Sequence, residues 1–211
     1  MKDYLRHERG RMFESNFFEF FSKVHPATPF VLYIPVAVAL IAWGLYTGVT
    51  TLLMTAMFFP LGWVGWQLME YFLHKSFFHW EGNSPFTRRL HDIVHGYHHK
   101  YPDDDTRLVM PIGASLPLAV LIGGGLYLLG RPDATLPFFE GLLCGYLWYD
   151  FTHWSTHNRK PMTAWGRAQR SHHMAHHFAD STKNFGISYK WIDVAMGSTK
   201  TRDPASKDQQ Q

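Results

Sequence analysis

The sequence predicts an all-α integral membrane protein with four membrane-spanning helices arranged as two hairpins. Three observations carry that prediction. Long apolar stretches fall in two pairs, each joined by a short turn, and the basic residues sit almost wholly on one side of those turns. All but His7 and His25 of the fourteen histidines lie between positions 74 and 177, in the segments between and after the pairs. The chain has 211 residues and no composition break that would divide it, so a single domain is expected over 1–211. Hydrophobic residues make up 46% and aromatics 17%, yet the mean hydropathy is -0.19. That average conceals the spans, because polar ends and histidine-rich segments dilute them.

Residues 1–29 are mixed polar and charged, and no cleavable secretory signal is apparent. Within them Met12-Phe13, Phe17-Phe18 and Phe20-Phe21 alternate with Glu14, Glu19 and Lys23 at roughly helical spacing. Such a helix can lie in the membrane interface or pack on the rest of the domain. A bilayer core of about 30 Å needs roughly 20 apolar residues as helix. Residues 30–47 and 52–73 meet that need, with Glu70 their one charged residue and a turn around Gly48 to Thr51 between them. The second pair runs over 112–130 and 136–152. Glu140 and Asp150 interrupt its second member, which is short, so buried helices are the alternative reading for this pair.

Of the twenty Lys and Arg residues, all but Arg131 lie before residue 30, between the second and third segments or after the fourth. Cytoplasmic loops retain basic residues, which puts both termini and every histidine group on the cytoplasmic side. The spacings Gly62/Gly65, Gly123 to Gly125 and Gly141/Gly145 would let helices approach closely. A net charge of +3, without a basic stripe interleaved with aromatics, argues against a nucleic-acid partner. The single cysteine, Cys144, permits no internal disulfide and sits in an apolar run, as a packed thiol would.

The histidines form four tight groups: His74/His79, His91/His95/His98/His99, His153/His157 and His172/His173/His176/His177. Imidazole is a common ligand for iron, zinc and copper. His153 and His157 are i and i+4 on one helix face. In HGYHH (His95, His98, His99) and HMAHH (His173, His176, His177), the second and third histidines straddle the direction of the first, so three imidazoles can aim inward. His74 and His79 are five apart and would diverge by about 140° on a regular helix, so a helix end or bulge must intervene for both to serve one centre. One ion cannot use this many ligands. The supply fits two ions sharing a nitrogen-rich site, read here as two redox-active irons; zinc can occupy such a site and would leave it redox-silent. His91 and His172 precede complete triads and read as supporting residues, while His7 and His25 read as surface residues. A bound imidazole needs its other nitrogen hydrogen-bonded. Asp150, one turn before His153, and Glu70, one turn before His74, are the candidate partners.

In this order and spacing the segments resemble the fatty acid hydroxylase and sterol desaturase superfamily of membrane di-metal oxygenases, and within it fatty acid 2-hydroxylases. The likeness runs from about Gln67 to Thr199. It takes in HKSFFH, HDIVHGYHHKYPDDDTRLVMP, GYLWYDFTHWSTH, HHMAHHF and NFGISYKWIDVAMGST. The resemblance implies that the four helices lie under a cytosolic helical cap, here 74–111 and 153–200, which holds two metals, with 201–211 as a polar tail. It implies the metal-ligand role for His74, His79, His95, His98, His99, His153, His157, His173, His176 and His177. Many fatty acid 2-hydroxylases carry a fused haem domain of the cytochrome b5 type, for which these 211 residues leave no room. Electrons are then expected from a separate cytochrome b5- or ferredoxin-like protein.

The reaction so implied is hydroxylation of a lipid acyl chain at C2 with O2. Attack on such a C–H bond needs an oxidant that no side chain provides. Trp63, Trp66, Met69, Phe72 and Trp148 are candidates to line the acyl tail, and Tyr149 and Asp150 to orient the substrate head or a ligand. Hydroxylation or desaturation of a sterol, carotenoid or amino-lipid is the alternative within the same chemistry. A metal-ion transporter would need ligands inside the spans, which offer only Glu70, Glu140 and Asp150. A zinc hydrolase needs about three ligands and an open position, fewer than this chain supplies.

Overall fold

In the computed structural model, which describes residues 9–200, the regular structure is all helical among the described residues. His7 and the polar tail lie outside the described residues. A short helix α1 (Asn16–Phe21) leads to α2 (Thr28–Thr47), which carries Pro29 in its first turn and ends at Gly48 in the left-handed conformation, φ 73°. Thr51 starts α3 (Leu52–Phe72) by accepting the Met54 N–H at 3.2 Å. The chain then widens into a π-helical turn, Leu73–Phe78. Ser84 and Thr87 form a capping box on α4 (Pro85–His91), a second π-helical turn follows at Asp92–Gly96, and α5 (Tyr97–Lys100) continues it. α6 (Ile112–Leu129) and α7 (Pro132–Asn158) make the second hairpin, and α8 (Ala164–Phe178) and α9 (Trp191–Ala195) close the cap.

Three segments are long and apolar enough to cross a membrane: Thr28–Thr47, Leu52–Phe78 and Asp105–Leu129. The segment expected as the fourth span, 136–152, is not among them, and its helix differs from its description in the sequence. It is neither short nor broken, but one helix of 27 residues that packs against α3, α2 and α6. Its two interrupting carboxylates, Glu140 and Asp150, are 2% and 0% exposed, so they face protein and not lipid. An apolarity count penalises charges that tertiary packing has hidden.

Glycine brings α3 and α7 into backbone contact. A Cβ at Gly62 would lie 1.9 Å from the Phe138 carbonyl oxygen, and one at Gly141 2.0 Å from that of Phe59. Gly124 and Gly125, also expected to mediate packing, have nothing within 4 Å of a would-be Cβ. Tyr33, Leu143, Tyr146 and Leu147 form the core between α2 and α7, and the Tyr33 hydroxyl donates to Ser115 Oγ at 2.8 Å, tying in α6.

α1 packs on the rest of the domain through its acidic residue. Phe17, Phe18, Phe20 and Phe21 are exposed, while Glu19 is buried and accepts the N–H groups of Met12 and Phe13 at 3.0 and 3.1 Å. Burial opposes the Glu19 charge, but the Phe13 N–H and the Arg107 guanidinium outweigh it and hold the carboxyl at about 2. Arg107, itself buried, also pairs with Asp104 at 2.7 Å, so the apolar helix is fastened to the cap by a desolvated charge network.

Candidate metal centre

The ten histidines come together as two groups of five: His74, His79, His95, His99 and His176 in the first, and His98, His153, His157, His173 and His177 in the second. Each triad seen in the sequence is divided between the groups. On a helix, i+4 stands about 40° to one side of i and i+3 about 60° to the other, so two neighbouring centres can divide them. His95/His99 therefore serve the first group and His98 the second; His173/His177 serve the second and His176 the first. His74 and His79 share a group because the π-helical turn Leu73–Phe78 intervenes, and its i to i+5 repeat aligns residues that a regular helix would splay.

In the first group the five Nε2 atoms form a closed ring. Successive separations are 2.9 Å (His74–His95), 3.0 Å (His95–His99), 3.2 Å (His99–His176), 3.0 Å (His176–His79) and 3.2 Å (His79–His74). A ring nitrogen offers one hydrogen or one in-plane lone pair, so it cannot hydrogen-bond two such neighbours. A shared cation resolves the crowding: with metal–nitrogen bonds of about 2.1 Å, ligands at right angles stand about 3.0 Å apart. The second group repeats the spacing along His153–His98–His177–His173–His157, at 3.0, 3.0, 3.1 and 2.8 Å. The donor set fits two imidazole-bound transition-metal ions.

Burial, with neighbouring imidazoles adding to it, drives the pKa of His95, His98, His173 and His177 well below the ordinary 6.5. Burial thus favours the neutral form of these four imidazoles, the form that ligation requires.

Three of the nitrogens turned away from the cluster centres are held by backbone, contrary to expectation, while Nδ1 of His98, His157, His173 and His177 has no hydrogen-bond partner among the described residues. His74 Nδ1 donates to the Phe185 carbonyl at 2.6 Å, His176 Nδ1 to that of Lys183 at 2.7 Å, and His153 Nδ1 to that of Leu108 at 3.1 Å. Among the described residues neither Asp150 nor Glu70 is hydrogen-bonded to an imidazole. A carboxylate one turn away on the same helix points along the axis beside the ring and not at its outer nitrogen, whereas a crossing loop can approach it head-on. Glu70 instead accepts the Ile187 and Ser188 N–H groups, each at 2.7 Å. His91 and His172 stand outside both groups. His91 Nδ1 donates to the Phe78 carbonyl at 2.7 Å, beside His79, and His172 Nε2 meets Asp193 at 2.9 Å. The segment 183–188 enters the sequence reading only through the family resemblance, with no role for its backbone; a signal for it is Gly186, where a Cβ would lie 2.6 Å from Ile192.

The two groups face different surroundings. His79 and His99 border a polar cleft of about 880 Å³ lined also by Lys75, Arg88, Asp92 and Lys100. Every member of the second group is buried. Tyr149 stacks on His153, with ring centroids 5.6 Å apart, and an apolar cavity lies nearby among Tyr33, Trp66, Met69, Met110 and Tyr146. Of the five residues expected to line an acyl tail, Trp66 and Met69 line this cavity. Phe72 faces outward, and Trp63 and Trp148 pack on each other on another side.

Helices able to cross a membrane, bearing two all-histidine clusters at their ends, define a histidine-rich membrane protein of the metal-binding kind. A fatty acid hydroxylase family model matches residues 59–198. The chain belongs to that family, and is accordingly an oxidoreductase that hydroxylates lipids. It is 32% identical over 201 residues to a dihydroceramide fatty acyl 2-hydroxylase of Arabidopsis thaliana, covering 95% of this chain and 84% of that one. It is 32% identical over 221 residues to a fatty acid 2-hydroxylase of Homo sapiens, covering 94% of this chain but 59% of the human one. The solved structure of full-length scs7p, in which only the hydroxylase domain is visible, matches with a TM-score of 0.81 at 28% identity, over 88% of this chain and 70% of that one.

Proposed function

We propose that the chain is a membrane monooxygenase that hydroxylates a lipid acyl chain at C2, with two irons held by the ten clustered histidines. The observation that carries this reading is the pair of five-imidazole groups at the ends of membrane-type helices, the second of them linked through Tyr149, which stacks on His153, to the Trp66 that walls an apolar cavity. The names of the relatives, dihydroceramide fatty acyl and fatty acid 2-hydroxylases, support C2 as the position. In this reading α7 is a fourth span made tolerable by its enclosure, the four helices form two hairpins in one domain, and the basic-residue bias puts termini and histidines on the cytoplasmic side.

Bound irons would supply the O2 activation and C–H cleavage that side chains cannot. One oxygen atom enters the C2 hydroxyl and the other leaves as water, which consumes two electrons delivered one at a time by a separate cytochrome b5- or ferredoxin-like carrier and two protons from solvent. The chain's own residues bind and orient. The cavity walled by Trp66, Met69 and Met110 takes the acyl tail, and its apolar lining excludes water from the second histidine group. Tyr149, stacked on His153, and the buried Asp150 orient the substrate head. The polar cleft beside His79 and His99 gives the carrier an aqueous approach to the first group.

The test is mass spectrometry of hydrolysed membrane lipids from cells expressing the chain or its His173→Ala/His177→Ala variant. Acyl chains gaining one oxygen at C2 with the unmutated chain alone is the expected result. Oxygen at another carbon, or a double bond, would overturn the C2 assignment.

A further inference from the structure

Between α8 and α9 the chain runs from Lys183 to Ser188 without helix, yet nearly every backbone polar group in it is held. The N–H groups of Phe185 and Gly186 donate to Asp193 at 2.9 and 2.7 Å, those of Ile187 and Ser188 to Glu70 Oε1 at 2.7 Å, and that of Asn184 to the Ser198 carbonyl at 2.9 Å. The carbonyls of Gly186 and Ile187 accept from Gln169 Nε2 at 3.2 and 2.5 Å. Asn184 takes a left-handed φ of 59°, which Asn tolerates better than most residues, and its side chain bonds the His172 carbonyl and the Lys200 N–H. Two of the other carbonyls face the first histidine group: Lys183 accepts from His176, and Phe185 from His74.

The clamps on this segment come from opposite sides. Glu70 belongs to α3 and Asp193 to α9, and they are 4% and 0% exposed. Asp193 is saturated, since it also accepts from Ser198 Oγ at 2.7 Å and meets His172. No hydrogen bond from the segment reaches an imidazole of the second group among the described residues; there His153 is held by Leu108.

We propose that Lys183–Ser188 is a backbone template dedicated to the first metal site, and that Glu70 and Asp193 are positioning residues for that site alone. This rests on the two-metal reading above. A carbonyl that accepts the Nδ1–H of His74 or His176 fixes the tautomer that leaves Nε2 bare and sets the plane of the ring. The carboxylates act one step further out, by fixing where those carbonyls stand. Changes at such outer partners typically cost about 10–100-fold in metal affinity.

The experiment uses the full chain, purified in detergent and stripped of metal, titrated with Co²⁺ and followed by its visible absorption and by the metal-to-protein ratio. The unmutated chain should take up two ions. Glu70→Ala and Asp193→Asn should keep one tight site and weaken the other about 10–100-fold. Glu70→Gln should retain both, because its amide oxygen still accepts the two N–H groups and its NH2 can donate to Ser188 Oγ. His157→Ala supplies the reciprocal signature, with the second site weakened. The template idea falls if Glu70→Ala or Asp193→Asn binds two ions tightly, or loses both together while its circular dichroism stays that of the folded chain. Should Glu70→Ala fail to fold, Asp193→Asn decides by the same criterion, and should both fail, Glu70→Gln losing a site would overturn it. Fewer than two ions on the unmutated chain would instead sink the two-metal reading.

Discussion

Replacing Gly141 by alanine should force α3 and α7 apart and thereby disturb a centre four helical turns away. The added Cβ would stand 2.0 Å from the Phe59 carbonyl oxygen, 2.8 Å from the Trp63 nitrogen and 3.0 Å from the Gly62 Cα, all backbone atoms with no rotamer to yield. Ordinary contact begins at 3.4 Å, so relief requires a movement of about 1.4 Å at the crossing. Overpacking of this kind costs about 1–3 kcal/mol, and more where the backbone itself must move. The crossing helices carry ligands of both groups: α7 holds His153 and His157, and α3 leads directly into His74 and His79. A displacement of about 1 Å can cost about 10²-fold in rate where geometry governs the chemistry. The assay pairs denaturant unfolding in detergent with metal content and C2 hydroxylation. Gly141→Ala is expected to lower the unfolding midpoint and to lose most activity. A variant with the midpoint, metal and activity of the parent would refute the close-crossing argument.

Adjacent histidines should have separable effects: His99→Ala should weaken the first metal site and His98→Ala the second, measured as which of two Co²⁺ binding phases disappears. Loss of the same phase in both would contradict the division of the triad. The metal-free chain should also be acid-sensitive. Buried histidines with depressed pKa bind fewer protons folded than unfolded, so stability holds above about pH 6.5 and falls as pH drops below it toward the folded values. Unfolding midpoints of chelator-treated protein should decline from pH 7 to pH 5 and stay flat from pH 7 to pH 8; an unchanged midpoint at pH 5 would count against neutral, buried clusters.

The sequence by itself determined the helical, membrane-type character of the chain and the inventory of histidines, because both are written in local terms: runs of apolar residues, and imidazoles at short spacings. It also showed that His74 and His79 needed a departure from regular helix, since their separation of five is incompatible with 3.6 residues per turn. It did not show that the departure is a π-helical turn, nor that each triad splits i and i+4 from i+3 between two centres. That depends on where two centres lie relative to each helix axis, which only packing fixes. For the same reason the outer partners of the imidazoles were misread. Asp150 and Glu70 are one turn from a histidine in sequence, but the atoms that reach Nδ1 are carbonyls of Leu108, Lys183 and Phe185, of which the nearest in the chain to its own partner is seven residues away. α7 shows the same limit, since the charges that break its apolar run are harmless once three helices surround them. What the chain encodes locally could be read from its letters, and what distant segments do to one another was decided by the tertiary structure.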